Sequence, residues 1–381
     1  MDRIVIVGHS IAGLTTGDNL RRLGFTGTLT YVGAEDVEAY SRPSLSKAAL
    51  APGDGIRLAP LPRITAESED TVELLGRRAV SLDTDARTVL LDDGRILPYD
   101  GLVIATGSRA RRLTDSPREF TLRSLADAER LRARLLERPR VTFIGGGPLG
   151  MEVASGAVGL GCEVTLLNPG VPLSMHLGPL LGGILTSLAE EAGVRVLDTL
   201  VDSVAETPDG MAVTLPSGEV IGSDIVFTGI GDDPAVDWLA DSGLLVDGRL
   251  VVDSRQRVPG HPGIVAAGDV CWLDGPDGPR RSPVWTSAIE QGRVAADGLL
   301  HGEDAAERDH PFYFWTDQWG VSLKVSGTPP RGDAGDAVPE VVQGSLEERA
   351  FVIRWPGHRA AAALDMRMPI PRLHRLAAGE G

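Results

Sequence analysis

Two stretches of this sequence place small residues at the spacing of a nucleotide-binding turn, and the first is residues 4–13, IVIVGHSIAG. Its apolar run predicts a strand, Gly8 predicts a tight turn after it, and Gly13 permits the following helix to pack closely on the strand. Ser10 takes the middle position, where the backbone meets a pyrophosphate and a hydroxyl can donate to phosphate. A second strand leads to Glu35, whose carboxylate can accept from ribose hydroxyls. This order predicts an ADP-binding site.

The same order recurs in residues 141–168, VTFIGGGPLGMEVASGAVGLGCEVTLLN. Gly145, Gly147 and Gly150 have GxGxxG spacing, and a small-residue helix and a second strand follow them. This strand ends in Asn168 instead of an acid, and an amide hydrogen-bonds a ribose hydroxyl about 1 kcal/mol less strongly than a carboxylate does. One such motif is a weak signal, with a merely structural turn as the alternative. Two motifs in one chain predict two dinucleotide-binding domains.

Length, charge and cysteine content restrict the class of protein. A chain of 381 residues can form two or three domains, each with its own core. The sequence has no apolar run near 18 residues and no export signal before RIVIVG, so we expect a cytoplasmic protein with no membrane partner. A net charge of −16 disfavours nucleic acid. The only cysteines, Cys162 and Cys271, form no CxxC motif, so we expect no disulfide or dithiol chemistry, and we assign no metal site.

Further segments complete the arrangement. Short strands and turns fill residues 72–108, and residues 284–300 have the spacing of a helix with Ala288, Val294, Ala295 and Leu299 on its apolar face. From about His310 the chain is rich in aromatic and β-branched residues, which predicts a C-terminal α+β domain.

A family resemblance follows from several motifs taken together. The two glycine motifs, YSRPSLSK, LVIATGS, AAGDV, VWTSAIEQGRVAA and FYFWTDQWG, in this order, resemble the FAD-dependent ferredoxin reductases of the putidaredoxin reductase and biphenyl dioxygenase reductase type, which are related to apoptosis-inducing factor. The resemblance extends from residue 1 to about residue 330 and is loose beyond it. It implies hydride transfer from NADH to FAD, and then single-electron transfer to a small ferredoxin-type iron–sulfur protein.

The resemblance also implies the domain layout. The fold class is α/β, with two Rossmann-like dinucleotide-binding domains, the second inserted in the first, and a C-terminal α+β domain over the flavin. The expected divisions are residues 1–110 for the first part of the FAD-binding domain, 111–235 for the NAD(P)H-binding domain, 236–305 for the second part of the FAD-binding domain, and 306–381 for the C-terminal domain.

Site residues are carried over from the matching motifs. The implied FAD contacts are Gly8, Ser10, Gly13, Glu35, Arg42, Lys47, Thr106, Gly107, Asp269 and Trp285, and the implied NAD contacts are Gly145, Gly147, Gly150 and Asn168. Lys47, from LSK, and Glu152 are expected to form an ion pair near the flavin N5, where an ammonium stabilises negative charge on reduced flavin. An ordinary salt bridge between domains is the alternative reading of this pair.

The chain departs from the family pattern around its second motif. The family usually has an acid at position 168 followed by arginines, whereas this loop reads NPGVPLSM and has no arginine to hold a 2′-phosphate, so NADPH is not favoured. Asp232 and Asp233 add anions near the expected nicotinamide half and weaken pyrophosphate binding unless they are screened. The alternative is that both are exposed loop carboxylates.

Three functions remain open on this sequence. The favoured one is an NADH-dependent ferredoxin reductase that serves a cytochrome P450 or a Rieske-type oxygenase. The second is a flavoenzyme on the same scaffold that oxidises or reduces a small organic molecule directly, with weakened or lost nicotinamide use. The third is a flavin-binding regulatory protein.

A ferredoxin partner gains support if the arginines at positions 109, 111, 112, 280 and 281 converge; otherwise they are solvated surface residues. His9 is expected to face solvent, and a proton donor is the alternative.

Overall fold

The computed structural model describes residues 1–380 apart from positions 52, 54, 57, 62–69, 307–311 and 332–336. Within these residues the α-helices are α1 (Ile11–Arg22), α2 (Leu125–Leu135), α3 (Pro148–Gly159), α4 (Ser174–Glu191), α5 (Trp285–His301) and α6 (Ile370–Ala378). In the part of the chain so described, no helix has both the length and the apolar character needed to cross a bilayer.

The strands follow in chain order. The first part of the chain forms β1 (Arg3–Val7), β2 (Thr28–Gly33), β3 (Thr71–Leu75), β4 (Ala79–Asp83), β5 (Thr88–Leu91), β6 (Ile96–Pro98), β7 (Gly101–Ile104), β8 (Ser108–Ala110) and β9 (Glu119–Phe120). The central part forms β10 (Arg140–Ile144), β11 (Glu163–Asn168), β12 (Arg195–Asp198), β13 (Ser203–Thr207), β14 (Gly210–Thr214), β15 (Val220–Ser223), β16 (Ile225–Thr228) and β17 (Asp232–Pro234). The last part forms β18 (Leu245–Val246), β19 (Arg249–Val252), β20 (Arg257–Val258), β21 (His261–Ala266), β22 (Cys271–Leu273), β23 (Tyr313–Gln318), β24 (Val321–Ser326), β25 (Glu340–Ser345), β26 (Ala350–Trp355) and β27 (Ala360–Leu364).

The chain divides into two compact units. Unit 1 comprises Met1–Ser41, Ala59–Arg109 and Asp233–His310, and unit 2 comprises Arg42–Leu58, Ala110–Asp232 and Pro311–Gly381. Unit 1 is therefore interrupted by the segment that carries the second glycine motif, as expected for one dinucleotide-binding domain inserted in another. The four-part division with its exact boundaries stays a prediction, since the residues after 310 are grouped here with unit 2.

Unit 1 is built on a sheet of order β20-β21-β7-β1-β2-β3, in which all neighbours except β20 and β21 run parallel. The continuous apolar run of β1 is buried on both faces, which is characteristic of a central parallel strand. Ile4 and Ile6 pack in one core with residues of α1 and α5, while Val5 and Val7 pack in a second core on the other face. The predicted helix is α5, and its four predicted apolar residues are buried.

Unit 2 contains a fully parallel sheet of order β12-β11-β10-β16-β9 and, from its C-terminal residues, an antiparallel sheet of order β23-β24-β27-β26-β25 with α6 against it. In the parallel sheet, β10 and β16 are almost wholly buried, as expected for central strands. The α+β character predicted for the C-terminal residues is confirmed by this second sheet and helix.

Candidate functional site

The predicted FAD residues of unit 1 lie at one edge of its sheet. Because the central strands run parallel, their carboxyl ends meet at this edge, where open α/β sheets bind ligands. The residues follow the strands in this way: Gly8, Ser10 and Gly13 after β1, Glu35 after β2, Thr106 and Gly107 after β7, and Asp269 after β21, with Trp285 as the first residue of α5. The structure therefore brings the eight predicted residues of this unit to one edge.

The turn after β1 fits the pyrophosphate of a dinucleotide. Gly8 has a φ of +129°, and a Cβ added there would overlap the carbonyl of Ala105 at the end of β7, so the turn requires glycine. Ser10 is the N-cap residue of α1, and its side chain makes no capping hydrogen bond. The first turn of α1 carries no acidic residue, so no carboxylate there opposes the positive end of the helix dipole. This is the environment that a phosphate requires.

Neighbouring groups at the same edge are held by hydrogen bonds. Tyr40 donates its hydroxyl to Glu35 (2.7 Å), which orients the carboxylate and leaves its negative charge in place. Thr106 donates its hydroxyl to the carbonyl of Ala235 (2.8 Å). The amide of Ala235 in turn donates to the carbonyl of Gly107 (2.9 Å). A Cβ at Gly107 would have no atom within 4 Å, so there is open space beside this backbone. The residues present fit an FAD molecule.

His9 departs from its expected exposure. Its side chain is only 3% exposed, its Nε2 lies 3.5 Å from Oε1 of Glu73, and its ring packs edge-on against Tyr31. The expectation that His9 faces solvent is therefore wrong. The carboxylate that faces it comes from β3, on the far side of β2, and nothing in the spacing of GHSIAG indicates that contact.

The second glycine turn lies at the corresponding place in unit 2. Gly145 follows β10, and its amide donates to the carbonyl of Leu167 at the end of β11 (2.9 Å). Gly147 is the N-cap residue of α3 and Pro148 occupies the first helical position, where its missing N–H is no loss. The first turn of α3 has no acidic residue, so this helix N-terminus also suits an anion.

Asn168 connects this turn to the loop after β11. Its Oδ1 accepts from the amide of Gly146 (2.8 Å), and its Nδ2 donates to the carbonyls of Pro169 (3.1 Å) and Gly170 (3.0 Å). Both hydrogens of the side-chain amide are thus used to hold the protein backbone. A contact from Asn168 to a ribose stays a prediction, and Oδ1 is the atom that could make it as an acceptor.

The charge of Asp232 is balanced inside unit 2. Its side chain is 14% exposed and forms an ion pair with Arg123. The reading of Asp232 as an exposed loop carboxylate is therefore wrong. The sequence suggested that this carboxylate would weaken pyrophosphate binding unless it was screened, and the positive charge of Arg123 compensates it. Arg123 also accepts, through its backbone carbonyl, a hydrogen bond from the guanidinium of Arg42.

Lys47 and Glu152 form the predicted ion pair, with Nζ 2.7 Å from Oε1. The side chains are 19% and 7% exposed, respectively. Three further residues complete the group. Ser46 donates to Oε2 of Glu152 (2.5 Å), Thr316 donates to Oε1 (2.6 Å), and the ring of Trp315 lies 6.0 Å from Nζ of Lys47. The carboxylate thus accepts three hydrogen bonds, and Lys47 is fixed in place by a charged partner.

Sequence reasoning missed Ser46, Thr316 and Trp315 as parts of this group. Their motifs, YSRPSLSK and FYFWTDQWG, contributed to the family resemblance, but no role was attached to these three positions. Thr316 and Trp315 come from β23, far along the chain from Lys47, so no local spacing connects them. The signal that could have found them is the alternation along β23, which places polar Thr316 and Gln318 on one buried face.

The two cysteines are free and buried. Burial raises the pKa of Cys162 to about 11 and that of Cys271 to about 12, so neither forms a thiolate at neutral pH. Cys162 belongs to unit 2 and Cys271 to unit 1. Neither thiol is thus suited to redox exchange, which agrees with the expectation that the protein uses no dithiol.

Most of the arginines suggested as a basic surface have local partners. Arg109 forms an ion pair with Asp237, Arg112 donates to the carbonyls of Ser116 and Glu119, and Arg281 donates to the carbonyl of Asp269. Arg280 lies 3.9 Å from Asp277. The hydrogen bonds of Arg109, Arg112 and Arg281 use part of their donor capacity within their own units, whereas the contact of Arg280 is a long ion pair.

Comparison with known proteins agrees with this geometry. A family model described as pyridine nucleotide-disulphide oxidoreductase matches residues 2–292. The ferredoxin–NAD(+) reductase component of 3-phenylpropionate/cinnamic acid dioxygenase from Photorhabdus laumondii is 34% identical over 336 residues, which cover 85% of this chain and 83% of that protein. The ferredoxin–NAD(+) reductase component of the anthranilate 1,2-dioxygenase system from Burkholderia cepacia is also 34% identical, over 99% of this chain and 94% of that protein.

A solved structure gives the same result in three dimensions. The covalent putidaredoxin reductase–putidaredoxin complex matches with a TM-score of 0.84 at 29% identity, over 100% of this chain and 93% of that chain. Its fold, with two dinucleotide-binding domains, is the one expected from the two glycine motifs. The chain therefore belongs to the pyridine nucleotide-disulphide oxidoreductase family and, within it, is an FAD-dependent oxidoreductase of the ferredoxin reductase type.

Proposed function

We propose that the protein takes reducing equivalents from NADH through FAD and delivers single electrons to a small iron–sulfur protein that serves a cytochrome P450 or a Rieske-type oxygenase. The observation that carries this proposal is the pair of glycine turns, one in each unit, each between the carboxyl end of a parallel strand and a helix N-terminus. Two such sites accommodate two dinucleotides. The relatives named as reductase components of dioxygenase systems support the choice of electron acceptor.

In this proposal, the unit 2 turn binds NADH. The N-terminus of α3 binds the pyrophosphate, and Asn168 keeps the turn in shape through its bond to the amide of Gly146. Arg123 compensates the charge of Asp232, so that this carboxylate does not oppose the dinucleotide. FAD, when bound in unit 1, supplies the chemistry of accepting a hydride and releasing single electrons.

Lys47 acts in this proposal as a fixed positive charge. Glu152 and the residues around it hold the ammonium in one position, which is the condition for electrostatic stabilisation without reorganisation. Lys47 would stabilise the negative charge of the reduced flavin. The buried thiols of Cys162 and Cys271 take no part, so electrons reach the acceptor without a protein disulfide.

A direct reaction with a small organic molecule is the second candidate. The observation that favours it is the uncharged Asn168, whose amide hydrogens are both bonded to the loop, since this weakens the contact to the ribose on which NADH binding depends.

We place the protein in the cytosol, where NADH is supplied and where two unpaired cysteines stay reduced. Cell fractionation tests this location.

The first experiment is anaerobic stopped-flow reduction of the FAD-loaded protein by NADH and, separately, by NADPH. We expect rapid loss of the oxidised-flavin band with micromolar NADH and slower loss with NADPH, followed by reoxidation when an oxidised ferredoxin is added. Flavin that stays oxidised with both nucleotides would overturn the proposal and favour the organic substrate. Reduction by NADH without reoxidation by any of a panel of ferredoxins would refute the proposed acceptor.

The two lysines of the chain provide a matched pair of variants for the same assay. Lys47→Met removes the proposed charge, and we expect flavin reduction to slow by about 10-fold or more. Lys324→Met removes the other lysine, which donates to the carbonyl of Met368, and we expect the rate to stay near wild type. FAD content is measured for both variants, so that loss of cofactor is distinguished from loss of rate.

A further inference from the structure

Asp198 lies beside Asn168 at the carboxyl edge of the unit 2 sheet. Strands β11 and β12 are parallel, and their register pairs Asn168 with Asp198. Neighbouring strands are about 4.8 Å apart, and laterally paired residues project to the same face of a sheet. The Asp198 carboxylate and the Asn168 amide therefore lie side by side at the place where a dinucleotide fold binds the adenosine ribose.

The same loop holds both side chains. Oδ1 of Asp198 accepts from the amide of Gly170 (2.7 Å), while Nδ2 of Asn168 donates to the carbonyl of that residue (3.0 Å). Asp198 is exposed, and among the described residues Oδ2 has no hydrogen-bond partner. One oxygen orients the carboxylate and the other remains available to a hydroxyl.

The loop beside Asp198 supplies no basic side chain that would neutralise this carboxylate. Residues 168–175 contain no lysine or arginine. Arg195, at the opposite end of β12, pairs with Glu219 (3.6 Å). Partial desolvation, assisted by the charge of Arg331, lowers the pKa of His176, so this imidazole is mainly neutral at pH 7. Arg331 itself donates to the carbonyl of Met175, the last residue of this stretch and part of the first turn of α4.

We propose that Asp198 supplies the carboxylate that position 168 no longer provides in the NADH site. In this role Oδ2 accepts from a ribose hydroxyl, and the negative charge repels the 2′-phosphate of NADPH. The proposal rests on the proposed function, because it names the residue by which that same site selects its nucleotide. The carboxylate that the family pattern places at the end of β11 is thus supplied here from the end of β12.

The test measures how the 2′-phosphate alone changes the affinity of an adenosine nucleotide for the FAD-loaded protein. Affinities for 5′-AMP and for adenosine 2′,5′-bisphosphate are measured by calorimetry, which does not depend on flavin reduction. Asp198→Asn keeps an oxygen for the amide of Gly170 and removes the charge. We expect the bisphosphate to gain about 10-fold relative to 5′-AMP, which corresponds to about 1.4 kcal/mol. The NADPH to NADH ratio of kcat/KM should rise by a similar factor.

Two further variants make the result specific. Asp209→Asn removes one exposed carboxylate of the same unit, in the turn between β13 and β14, and is expected to leave the ratio unchanged. Asn168→Asp, added to Asp198→Asn, returns the carboxylate to the neighbouring strand and should restore the preference for 5′-AMP. If Asp198→Asn does not fold, Asp198→Ser serves as the neutral variant.

The outcomes separate this inference from the proposed function. An unchanged bisphosphate to AMP ratio in the neutral variant overturns the role of Asp198, even if wild-type flavin is reduced rapidly by NADH. An equal change in Asp209→Asn also overturns it, because the effect would then be one of net charge. A wild-type protein that NADH does not reduce would refute the proposed function, while the binding ratio would still decide the role of Asp198.

Discussion

Glu152 shows how a single buried carboxylate depends on partners from distant parts of the chain. It accepts from Ser46, Lys47 and Thr316, and only Lys47 could be assigned from the sequence, through the family resemblance. The spacing of residues along the chain does not reveal such a group, because its members come from segments that meet only after folding. The ion pair itself was predictable, whereas the hydrogen bonds that fix its geometry were not.

Removing Lys47 should therefore cost more stability than removing the whole pair. Lys47→Met leaves the nearly buried Glu152 without its counterion, and we expect a loss of about 3 kcal/mol in the free energy of unfolding. The double variant Lys47→Met with Glu152→Gln removes both charges and should recover part of that loss. Urea denaturation of the wild type, both single variants and the double variant measures the coupling. Strictly additive losses would contradict the expected interaction.

Glu119 gives a second single-residue prediction, for the effect of pH. It is 0% exposed and accepts from the amides of Leu113 (2.8 Å) and Thr114 (2.7 Å). Burial alone would raise the pKa of Glu119, but these hydrogen bonds, with one from the hydroxyl of Thr114 (2.9 Å), hold it below its usual value. A lowered pKa in the folded state means that its contribution is fully present above about pH 4.5 and is lost as the pH falls through the folded-state pKa.

Glu119→Gln should accordingly flatten the acid limb of the stability curve. At pH 7 we expect the variant to be about 1 to 3 kcal/mol less stable, because an amide cannot accept all the hydrogen bonds of the carboxylate. Between pH 5 and pH 3, the difference from wild type should shrink. Urea unfolding midpoints at four pH values measure this trend, with exposed Glu137→Gln as the control. A difference that stays constant with pH would contradict the expected role of ionised Glu119.

The elements with a clear period could be predicted, and those shaped by remote contacts could not. α5 was predictable from the apolar spacing of residues 284–300, because a helix buried on one face requires apolar residues at that spacing. β1 was predictable from its apolar run, because a strand buried on both faces requires apolar residues throughout. α4 is different. It is interrupted at Gly178, whose φ is +78° and ψ is 167°, and Pro179 follows. The partner at this interruption is the segment of Pro330, which lies far along the chain.

Gly178→Ala should destabilise the protein by about 2 to 4 kcal/mol. A Cβ at this position would overlap the carbonyl oxygen of Pro330, and the positive φ is unfavourable for alanine. Gly183 lies in the same helix with no atom within 4 Å of an added Cβ, so Gly183→Ala is the matched control and should stabilise by about 0.5 to 1 kcal/mol. Chemical denaturation compares the two. Equal effects would show that the interruption at Gly178 is not constrained by Pro330.

The candidate site combines predictable positions with unpredictable contacts. The glycine turns and the residues after β2, β7 and β21 could be located because parallel strands end at a common edge. The compensation of Asp232 by Arg123, the burial of His9 against Glu73 and the position of Asp198 beside Asn168 could not, since each depends on which strand or loop becomes a neighbour. Sheet order is a property of the whole unit and leaves little trace in local spacing.

The net charge of the whole chain leads to a prediction about its encounter with an acidic iron–sulfur protein. The charge is −16, and Arg109 and Arg280 each lie beside a carboxylate, so long-range repulsion should oppose association at low salt. Raising the ionic strength from 0.01 to 0.15 M shortens the Debye length from about 30 to about 8 Å. We therefore expect the second-order rate of reduction of an acidic ferredoxin to rise several-fold over this range, because screening weakens the repulsion.

A neutral quinone acceptor separates this effect from any influence of salt on the flavin itself, and its rate should change little. Stopped-flow measurements with the reduced protein in excess give both rates under the same conditions. A ferredoxin rate that falls steadily with added salt would contradict the expectation. It would mean that a local positive surface dominates the encounter despite the overall charge, since attraction and repulsion respond to screening with opposite sign. The sign of the salt dependence therefore decides between net charge and local charge as the control of partner association.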